Sequence, residues 1–469
     1  MGKLFSANVK KLLATVLSQG IILGLSVITG FVLPERMGPE SFGYWQIYLF
    51  YLTYINLFGL GFNDGIALFY GGYDYEKLPF ERLRASMRIV YLYLAAVCAV
   101  GVGAVLLLCN GTIYQSIYLA LVLNIPLTCI QCIVLTTFLS VGKTEIYNWI
   151  NLLLKILTVV LYLLLIFSGH TGPTGMIVAD TVGRLAITLL CVVLGRGFLF
   201  GKSAPLKTGW QELWEKSKSG FMITIAIISS MLMPVLGRSI VEQNEPIAVY
   251  GIYSFAMSLL TIILSFTNVL GTVIFPLLKR MKPDEMSESY SKFALLCDGF
   301  VIVALLLYLP LMFIVRRVMV QYVPALDYLY ILLAMCLPLG RMQLLVTPFY
   351  KAKRLEKELL IANLIGIAVM FISLVGGYMI FRNVIAVAVG TTVVLIAWTF
   401  GAELYLYRSG NQKLVVKQNL AEIFIMLAFC IAGSFQSYGL FAAIYCPAMV
   451  LYFLWRRKEF ASLLHLWKK

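Results

Sequence analysis

Four ionisable side chains lie deep inside long apolar runs of this sequence: Lys155, Asp180, Arg184 and Arg341. A charge at the centre of a bilayer costs roughly 2.5–3.5 kcal/mol on insertion scales, so such residues usually pair, face water or serve a function. Asp180 and Arg184 are four residues apart and can neutralise each other on one helix face. Lys155 and Arg341 have no acidic residue nearby in the sequence, and for them a functional role is favoured.

Together these residues give three cations and one acid, which predicts a cavity with a net positive charge. Arginine offers two parallel N–H groups to phosphate oxygens, and lysine offers a compact point charge. We therefore expect Lys155, Arg184 and Arg341 to bind an anionic, phosphate-bearing substrate. Asp180 is the candidate acid for uptake of a coupling ion.

Two stripes of polar residues accompany these charges. Their members recur at helical spacing within single apolar runs: Thr15, Gln19, Ser26 and Thr29 in the first, and Ser254, Ser258, Thr261, Ser265, Asn268 and Thr272 in the second. Such stripes either line a hydrated path or pack helices together through hydrogen bonds. Packing is favoured for the first stripe, and a cavity lining is favoured for the longer second one.

Four further acids lie nearer to the ends of the apolar runs: Asp64, Asp298, Glu403 and Glu422. Acids in this position are expected to be solvated or to cap helices. Asp64 is the exception, because it lies about two turns inside an apolar run between Asn63 and Gly65. It is a second candidate for a coupling acid.

Motifs of catalysis are absent from the sequence. There is no phosphate-binding Gly-rich loop and no dinucleotide fingerprint, and Cys129-x-x-Cys132 lacks the second pair that a metal or redox site needs. The nine cysteines lie mostly in apolar runs and are expected to be packing residues. The sequence therefore predicts no enzymatic activity, no cofactor and no metal. It predicts instead a transport process driven by an ion gradient, a substrate gradient or thermal motion.

The elements that carry these residues are long and strongly apolar. The chain has 469 residues, of which 61% are apolar and only 13% charged, and its mean hydropathy is +0.90. These values exclude a soluble protein, and the unbroken apolar runs exclude an outer-membrane barrel. We predict an all-α polytopic membrane protein with about fourteen spans, at 12–33, 43–70, 88–108, 113–140, 146–168, 173–199, 219–241, 247–278, 293–315, 325–350, 358–381, 383–407, 420–436 and 438–455.

The net charge of +15 is concentrated in alternate loops, and this placement indicates that the basic loops and both termini are cytoplasmic. Nucleic acid is therefore not an expected partner. The basic segment 201–218 contains Trp210 and Trp214 at helical spacing, and it is either a helix lying on an anionic leaflet or a solvated linker.

A weak internal repeat places Gly43–Tyr70 on Gly251–Leu278. An even number of spans per repeat predicts two six-helix lobes related by an axis along the membrane normal, with a cleft between them. The expected organisation is a first lobe at 1–200, a cytoplasmic linker at 201–218, a second lobe at 219–407, and a C-terminal helix pair with a basic tail at 408–469.

The segment Pro34–Tyr75 carries a family resemblance. It contains GPESFGYWQ at 38–46, GLGFNDGI at 59–66 and YGGYDY at 70–75, and between Gly43 and Tyr70 it reads as one uninterrupted span. These motifs resemble the Wzx-like polysaccharide flippases of the multidrug/oligosaccharidyl-lipid/polysaccharide (MOP) superfamily. The layout of six, six and two spans agrees with what this resemblance implies.

The resemblance implies a transporter of the bacterial cytoplasmic membrane that moves a polyprenyl-pyrophosphate-linked oligosaccharide from the inner to the outer leaflet by alternating access. The product would feed synthesis of O-antigen and lipopolysaccharide, capsule or exopolysaccharide. Expected partners are the lipid-linked oligosaccharide, membrane lipids, and the polymerase and glycosyltransferases of the pathway.

Two alternatives stay open. The first is a cation-coupled drug exporter of the same superfamily, but those relatives usually carry an acid in the first or seventh span, and 12–33 and 219–241 contain none. The second is a membrane-bound glycan polymerase or ligase, which needs a large outer loop where this sequence has only short ones.

Overall fold

The computed structural model describes residues 2–109, 111–278, 283–353, 355–408, 412–457 and 459. Side chains are described for the same residues except 2–14, 266–278, 283–289, 291, 352, 356 and 414. Helices make up most of this part of the chain, and it contains no β-strand. The predicted all-α polytopic fold is confirmed.

The chain divides into two compact units, Met1–Ile228 and Ser229–Lys469. The helices of the first unit are α1 Gly2–Leu52, α2 Phe62–Tyr70, α3 Phe80–Leu108, α4 Ile113–Ser140, α5 Thr144–Phe167, α6 Pro173–Leu194, α7 Arg196–Leu199 and α8 Leu206–Leu232, with 3₁₀ turns at Ile55–Gly59 and Tyr75–Lys77. The boundary between the units falls inside α8.

The second unit contains the remaining helices. They are α9 Leu236–Asn244, α10 Ile247–Leu278, α11 Pro283–Ala304, α12 Tyr308–Arg317, α13 Leu326–Ala334, α14 Cys336–Arg341, α15 Thr347–Ala352, α16 Glu356–Phe381, α17 Val384–Leu406, α18 Gln412–Ser434 and α19 Tyr438–Trp455. Short 3₁₀ turns lie at Met233–Val235, Leu305–Leu307 and Val320–Ala325, and a π-helical segment at Met342–Val346 joins α14 to α15.

Thirteen helical segments in the described chain are long and apolar enough to cross a bilayer. The count is one lower than predicted because the first two spans form one continuous segment, Thr15–Gly59. Within α1 only Gly38 leaves the helical conformation, with φ 74° and ψ 164°. Glycine has no Cβ and adopts a positive φ without strain, so α1 bends at Gly38 inside the predicted turn.

The prediction that residues 43–70 form one uninterrupted span is wrong. α1 ends at Leu52, and the chain then turns through Leu60 and Gly61, both with positive φ, before α2 begins. The corresponding segment of the second unit, in α10, is one continuous helix. Asp64 therefore lies in the first turn of a short helix and not deep within a long one.

The predicted linker 201–218 is largely helical, because α8 begins at Leu206 and continues without a break through the start of the next predicted span. Trp210 and Trp214 are both exposed, at 58% and 63%. The cytoplasmic position of this segment and the lobe boundaries stay predictions.

Within the first unit, α8 packs closely against α2 through glycines. A Cβ at Gly220 would collide with the carbonyl oxygen of Gly61 and the amide of Gly65. Beside this contact, Lys216 of α8 bonds to Glu212 and to the Tyr70 hydroxyl at the end of α2. The glycine positions allow the two backbones to approach in a way that larger residues would prevent.

Candidate functional site

Asp180 is the centre of a hydrogen-bond network in the first unit. Its side chain, on α6, is 3% exposed and accepts hydrogen bonds from Tyr48 (2.6 Å), Tyr162 (2.8 Å) and the Nε of Arg184 (2.7 Å). The last contact is the four-residue ion pair that the sequence allowed. Three donors, one of them a guanidinium, compensate the burial of this carboxylate.

The tyrosines of this network are held by the segment that carries the family resemblance. Trp45 is buried, stacks on the Tyr48 ring at 5.3 Å between centroids, and meets the Tyr162 ring edge-on at 5.4 Å. Asn124 of α4 donates to the Tyr48 hydroxyl (3.1 Å) and to Thr181 (2.9 Å). Side chains from α1, α4, α5 and α6 thereby fix the position of the carboxylate.

Two cations beside this network keep hydrogen-bonding capacity. Arg184 is 18% exposed at its side chain, and among the described residues only its Nε is bonded, so its two terminal amino groups are uncommitted. The Lys155 ammonium has no ion pair or hydrogen bond within the described part of the chain, although the charge of Asp180 acts on it. The helices that carry these cations approach closely, since a Cβ at Gly183 would lie 2.9 Å from the Thr158 methyl group. Lys155 and Arg184 therefore lie on closely packed helices, and each has N–H groups that no described residue uses.

The predicted stripe of α1 is partly committed to helix packing. Thr15 accepts a hydrogen bond from Asn148 of α5 (2.8 Å), and Ser26 and Thr29 donate to carbonyls of their own helix. Gln19 is half-buried.

The stripe of α10 changes in exposure along the helix. Ser254 is fully buried, whereas Ser258 and Ser265 are half-buried and Thr261 is exposed. The hydroxyls of these last three residues bond to carbonyls one turn earlier. The side chains of Asn268 and Thr272 lie outside the described residues.

Asp64 contacts α8. It is half-buried and accepts a hydrogen bond from the Thr224 hydroxyl, which also bonds to the Gly220 carbonyl (3.1 Å). The structure thus places Asp64 at the glycine contact between α2 and α8, and does not bring it together with the Asp180 network.

The expectation that Arg341 lacks an acidic partner is wrong. Its guanidinium is fully buried and forms a two-point contact with Asp298, through Nε–Oδ1 (2.8 Å) and Nη2–Oδ2 (3.0 Å). Its Nη1 lies 3.2 Å from Oε2 of Glu403 and 2.9 Å from Oε2 of Glu422. A buried guanidinium with three carboxylates around it cannot reach a solute, so Arg341 is excluded from the candidate substrate site.

The expectation that these three acids are solvated or cap helices is wrong for the same reason. Asp298, Glu403 and Glu422 are each at most 4% exposed. Asp298 lies on α11, Glu403 on α17 and Glu422 on α18. Arg341, which contacts all three, is the last residue of α14 and directly precedes the π-helical segment. Arg456 joins them through its Nη1, which lies 3.2 Å from Oδ2 of Asp298, and these five residues form the acid–arginine cluster.

Sequence reasoning missed several residues of these networks. Tyr48 and Tyr162 looked like ordinary aromatic residues of apolar spans, although Tyr48 closely follows the GYWQ motif. Arg238 of α9, which belongs to neither network, is half-buried and close enough to act electrostatically on Tyr253. The sequence feature that could have indicated Arg238 is its position as a cation inside the predicted span 219–241.

No family model and no curated protein matches this sequence. Solved structures do match. A structure of the lipid II flippase MurJ in an inward closed conformation has a TM-score of 0.66 at 15% identity, over 96% of this chain and 99% of that one. An outward-facing multidrug resistance MATE family transporter of the MOP superfamily gives 0.57 at 13%, over 87% and 96%. A crystal structure of MATE in the straight conformation gives 0.57 at 12%, over 87% and 96%. At these identities the likeness establishes the fold, which this chain shares with MOP transporters.

Proposed function

We propose that this protein flips a polyprenyl-pyrophosphate-linked oligosaccharide from the inner to the outer leaflet of the bacterial cytoplasmic membrane. The observation that carries the proposal is the pair of cations Lys155 and Arg184, whose ammonium and terminal amino groups are uncommitted among the described residues. A charge is retained inside an apolar helix when a partner or function compensates its cost. A pyrophosphate would be such a partner.

The Asp180 network suits Arg184 to this task. The carboxylate holds Nε at 2.7 Å and so restricts the rotation of the guanidinium plane. The terminal amino groups then form a preorganised pair of donors, and such a pair matches two phosphate oxygens. Lys155 adds a second positive charge from the adjacent α5, with no acid among the described residues bonded to it.

The comparisons support a lipid-linked substrate without specifying the sugar. A lipid II flippase has the same fold over nearly the whole of both chains. In this proposal the sugar and pyrophosphate cross the membrane through the protein while the polyprenyl tail stays in the bilayer. Both termini are cytoplasmic in this arrangement, and a polymerase and glycosyltransferases act on either side of the step.

A cation-coupled drug exporter is the second candidate, because MATE transporters share the fold. The two candidates differ in the charge that they must accept. An uncommitted lysine beside an uncommitted guanidinium end attracts an anion and repels a cationic drug. This charge is the reason for preferring the flippase.

The test is transport of a fluorescent polyprenyl-pyrophosphate oligosaccharide in proteoliposomes, measured as the fraction of sugar reachable from outside. Lys155→Met removes the charge but keeps a similar length, and we expect at least a tenfold loss of rate. Lys155→Arg should retain part of the activity, because it restores a cation. Lys357→Met, at an exposed lysine, is the matched control and should leave the rate unchanged.

The same vesicles distinguish the second candidate. A lipophilic cationic dye that is expelled by the wild-type protein, together with no movement of the lipid-linked sugar, would replace the flippase proposal with the exporter. Equal rates for Lys155→Met and the wild-type protein would show that Lys155 does not bind the substrate.

A further inference from the structure

The acid–arginine cluster of the second unit has an unequal number of positive and negative charges. Among the described residues, three buried carboxylates, Asp298, Glu403 and Glu422, lie together with two buried guanidiniums, Arg341 and Arg456, all at most 4% exposed. Ionisation of all three acids would leave one uncompensated negative charge in the interior. A buried carboxylate without compensation is normally neutralised by a proton.

Hydrogen bonding identifies which carboxylate lacks compensation. Asp298 accepts hydrogen bonds from three side chains, those of Arg341, Tyr452 and Arg456, at 2.8–3.2 Å. Donors of this kind stabilise the ionised form of a carboxylate.

Glu403 is equally well supplied. It accepts hydrogen bonds from the Tyr290 hydroxyl (2.7 Å), from Arg341, and from the amide of Asn419. Like Asp298, it therefore has donors from three side chains.

Glu422 differs from both. Within the described part of the chain it accepts no hydrogen bond, and its Oε2 is buried and without a hydrogen-bond partner. This oxygen lies 2.9 Å from Nη1 of Arg341 in an ion pair without hydrogen-bond geometry, whereas the hydrogen bonds from that nitrogen go to Glu403. The surplus negative charge therefore falls on Glu422.

We propose that Glu422 is a proton-binding site: it holds a proton in the folded protein, and this neutral state lets the C-terminal helices pack against the rest of the second unit. Glu422 lies on α18, whereas its neighbours come from α11, α14 and α17, and Arg456 follows α19. Loss of the proton would place a third negative charge in this contact and weaken it.

Neither Glu459 nor the residues of α13 near α18 remove this surplus. Glu459 pairs with Arg456 (2.7 Å) and with Lys417 of α18 (3.5 Å), so it adds a further acid for one exposed cation. From α13, which also packs on α18, Tyr330 contacts Gly433 and Asp327 bonds to Gln436, both at the other end of the helix.

A bound metal ion is a poorer explanation than a proton. The described residues contain no group of three His, Cys, Asp or Glu that could hold a metal ion. A cation beside Oε2 of Glu422 would also face the guanidinium 2.9 Å away. A proton needs no coordination shell and neutralises the oxygen directly.

The first experiment is infrared spectroscopy of the full-length protein in lipid nanodiscs at neutral pH. A protonated carboxylic acid has a carbonyl stretch that is separate from the carboxylate bands. We expect this band in the wild-type protein, its loss in Glu422→Gln, and its retention in the control Glu145→Gln, which changes an exposed glutamate. An unchanged band in Glu422→Gln overturns the proposal.

The second experiment measures thermal unfolding across pH. The group is neutral when folded, so its stabilising effect is present at low pH and is lost as the pH rises and the proton leaves. The unfolding temperature of the wild-type protein should therefore fall on the alkaline side, and that of Glu422→Gln should not show this fall. The proposal is overturned if the unfolding temperatures of both proteins fall equally at alkaline pH. It is also overturned if sodium, and not low pH, stabilises the wild-type protein.

Discussion

Removing Arg341 should destabilise the protein severely. In Arg341→Ala the carboxylates of Asp298 and Glu403 lose their shared guanidinium while they stay buried at 1% exposure. Breaking a buried ion pair by deleting one partner costs about 3–5 kcal/mol, because the other charge is left uncompensated. Since a typical protein has only about 5–15 kcal/mol of unfolding free energy, the loss is a large share of the total. We expect a lower yield of monodisperse protein and a lower unfolding midpoint in detergent.

Lys155→Ala is the matched comparison, because it also deletes a cation from an apolar helix. Lys155 has no bonded partner among the described residues, so its removal leaves no acid uncompensated, and the unfolding midpoint should be close to that of the wild-type protein. Adding Glu403→Gln to Arg341→Ala should recover part of the lost stability, because it removes one of the orphaned charges. Equal midpoints for Arg341→Ala and Lys155→Ala would refute the reasoning.

Three further outcomes are expected. Tyr48→Phe removes a donor to a buried carboxylate and should lower the unfolding free energy by about 1.5–3 kcal/mol, measured by chemical denaturation. Gly220→Ala should destabilise the protein by about 1–3 kcal/mol, because the added Cβ would collide with the backbone around the start of α2. The control Gly376→Ala has open space around the added Cβ and should be neutral or slightly stabilising. In a background without native cysteines, impermeant thiol reagents should label cysteine at Lys413 only from the cytoplasmic side and at Gly172 only from outside; labelling of both from one side would contradict the predicted topology.

The sequence was sufficient for the fold because a bilayer permits few alternatives. Backbone groups in lipid must be satisfied within a helix, so an apolar run of about twenty residues indicates a span. The last helix, α19 at Tyr438–Trp455, begins and ends where the hydropathy pattern placed it. The interruption between α1 and α2 was missed because Leu60 takes a positive φ, which its residue type does not suggest.

The candidate site could be predicted only where its contacts are local. Asp180 and Arg184 are one helical turn apart, and their ion pair is present. The partners of Arg341 lie 43 and 62 residues away in the sequence, at Asp298 and Glu403, and hydropathy carries no information about such pairing. Arg341 and Lys155 therefore looked alike in the sequence, each as a lone cation in an apolar helix. In the structure Arg341 is paired with acids, whereas Lys155 has no bonded partner among the described residues.

What distinguishes the two kinds of buried charge is the surplus that remains after pairing. In the first unit, Lys155 and Arg184 outnumber Asp180 by one positive charge, beside donor groups that no described residue uses. In the acid–arginine cluster the surplus is one negative charge, and it falls on Glu422, which accepts no hydrogen bond from the described residues. A surplus must be neutralised by something outside the pairing, and its sign limits what that can be. An anionic headgroup suits the first surplus and a proton suits the second, so a variant that removes either surplus should change ligand or proton binding without the loss of stability expected for Arg341.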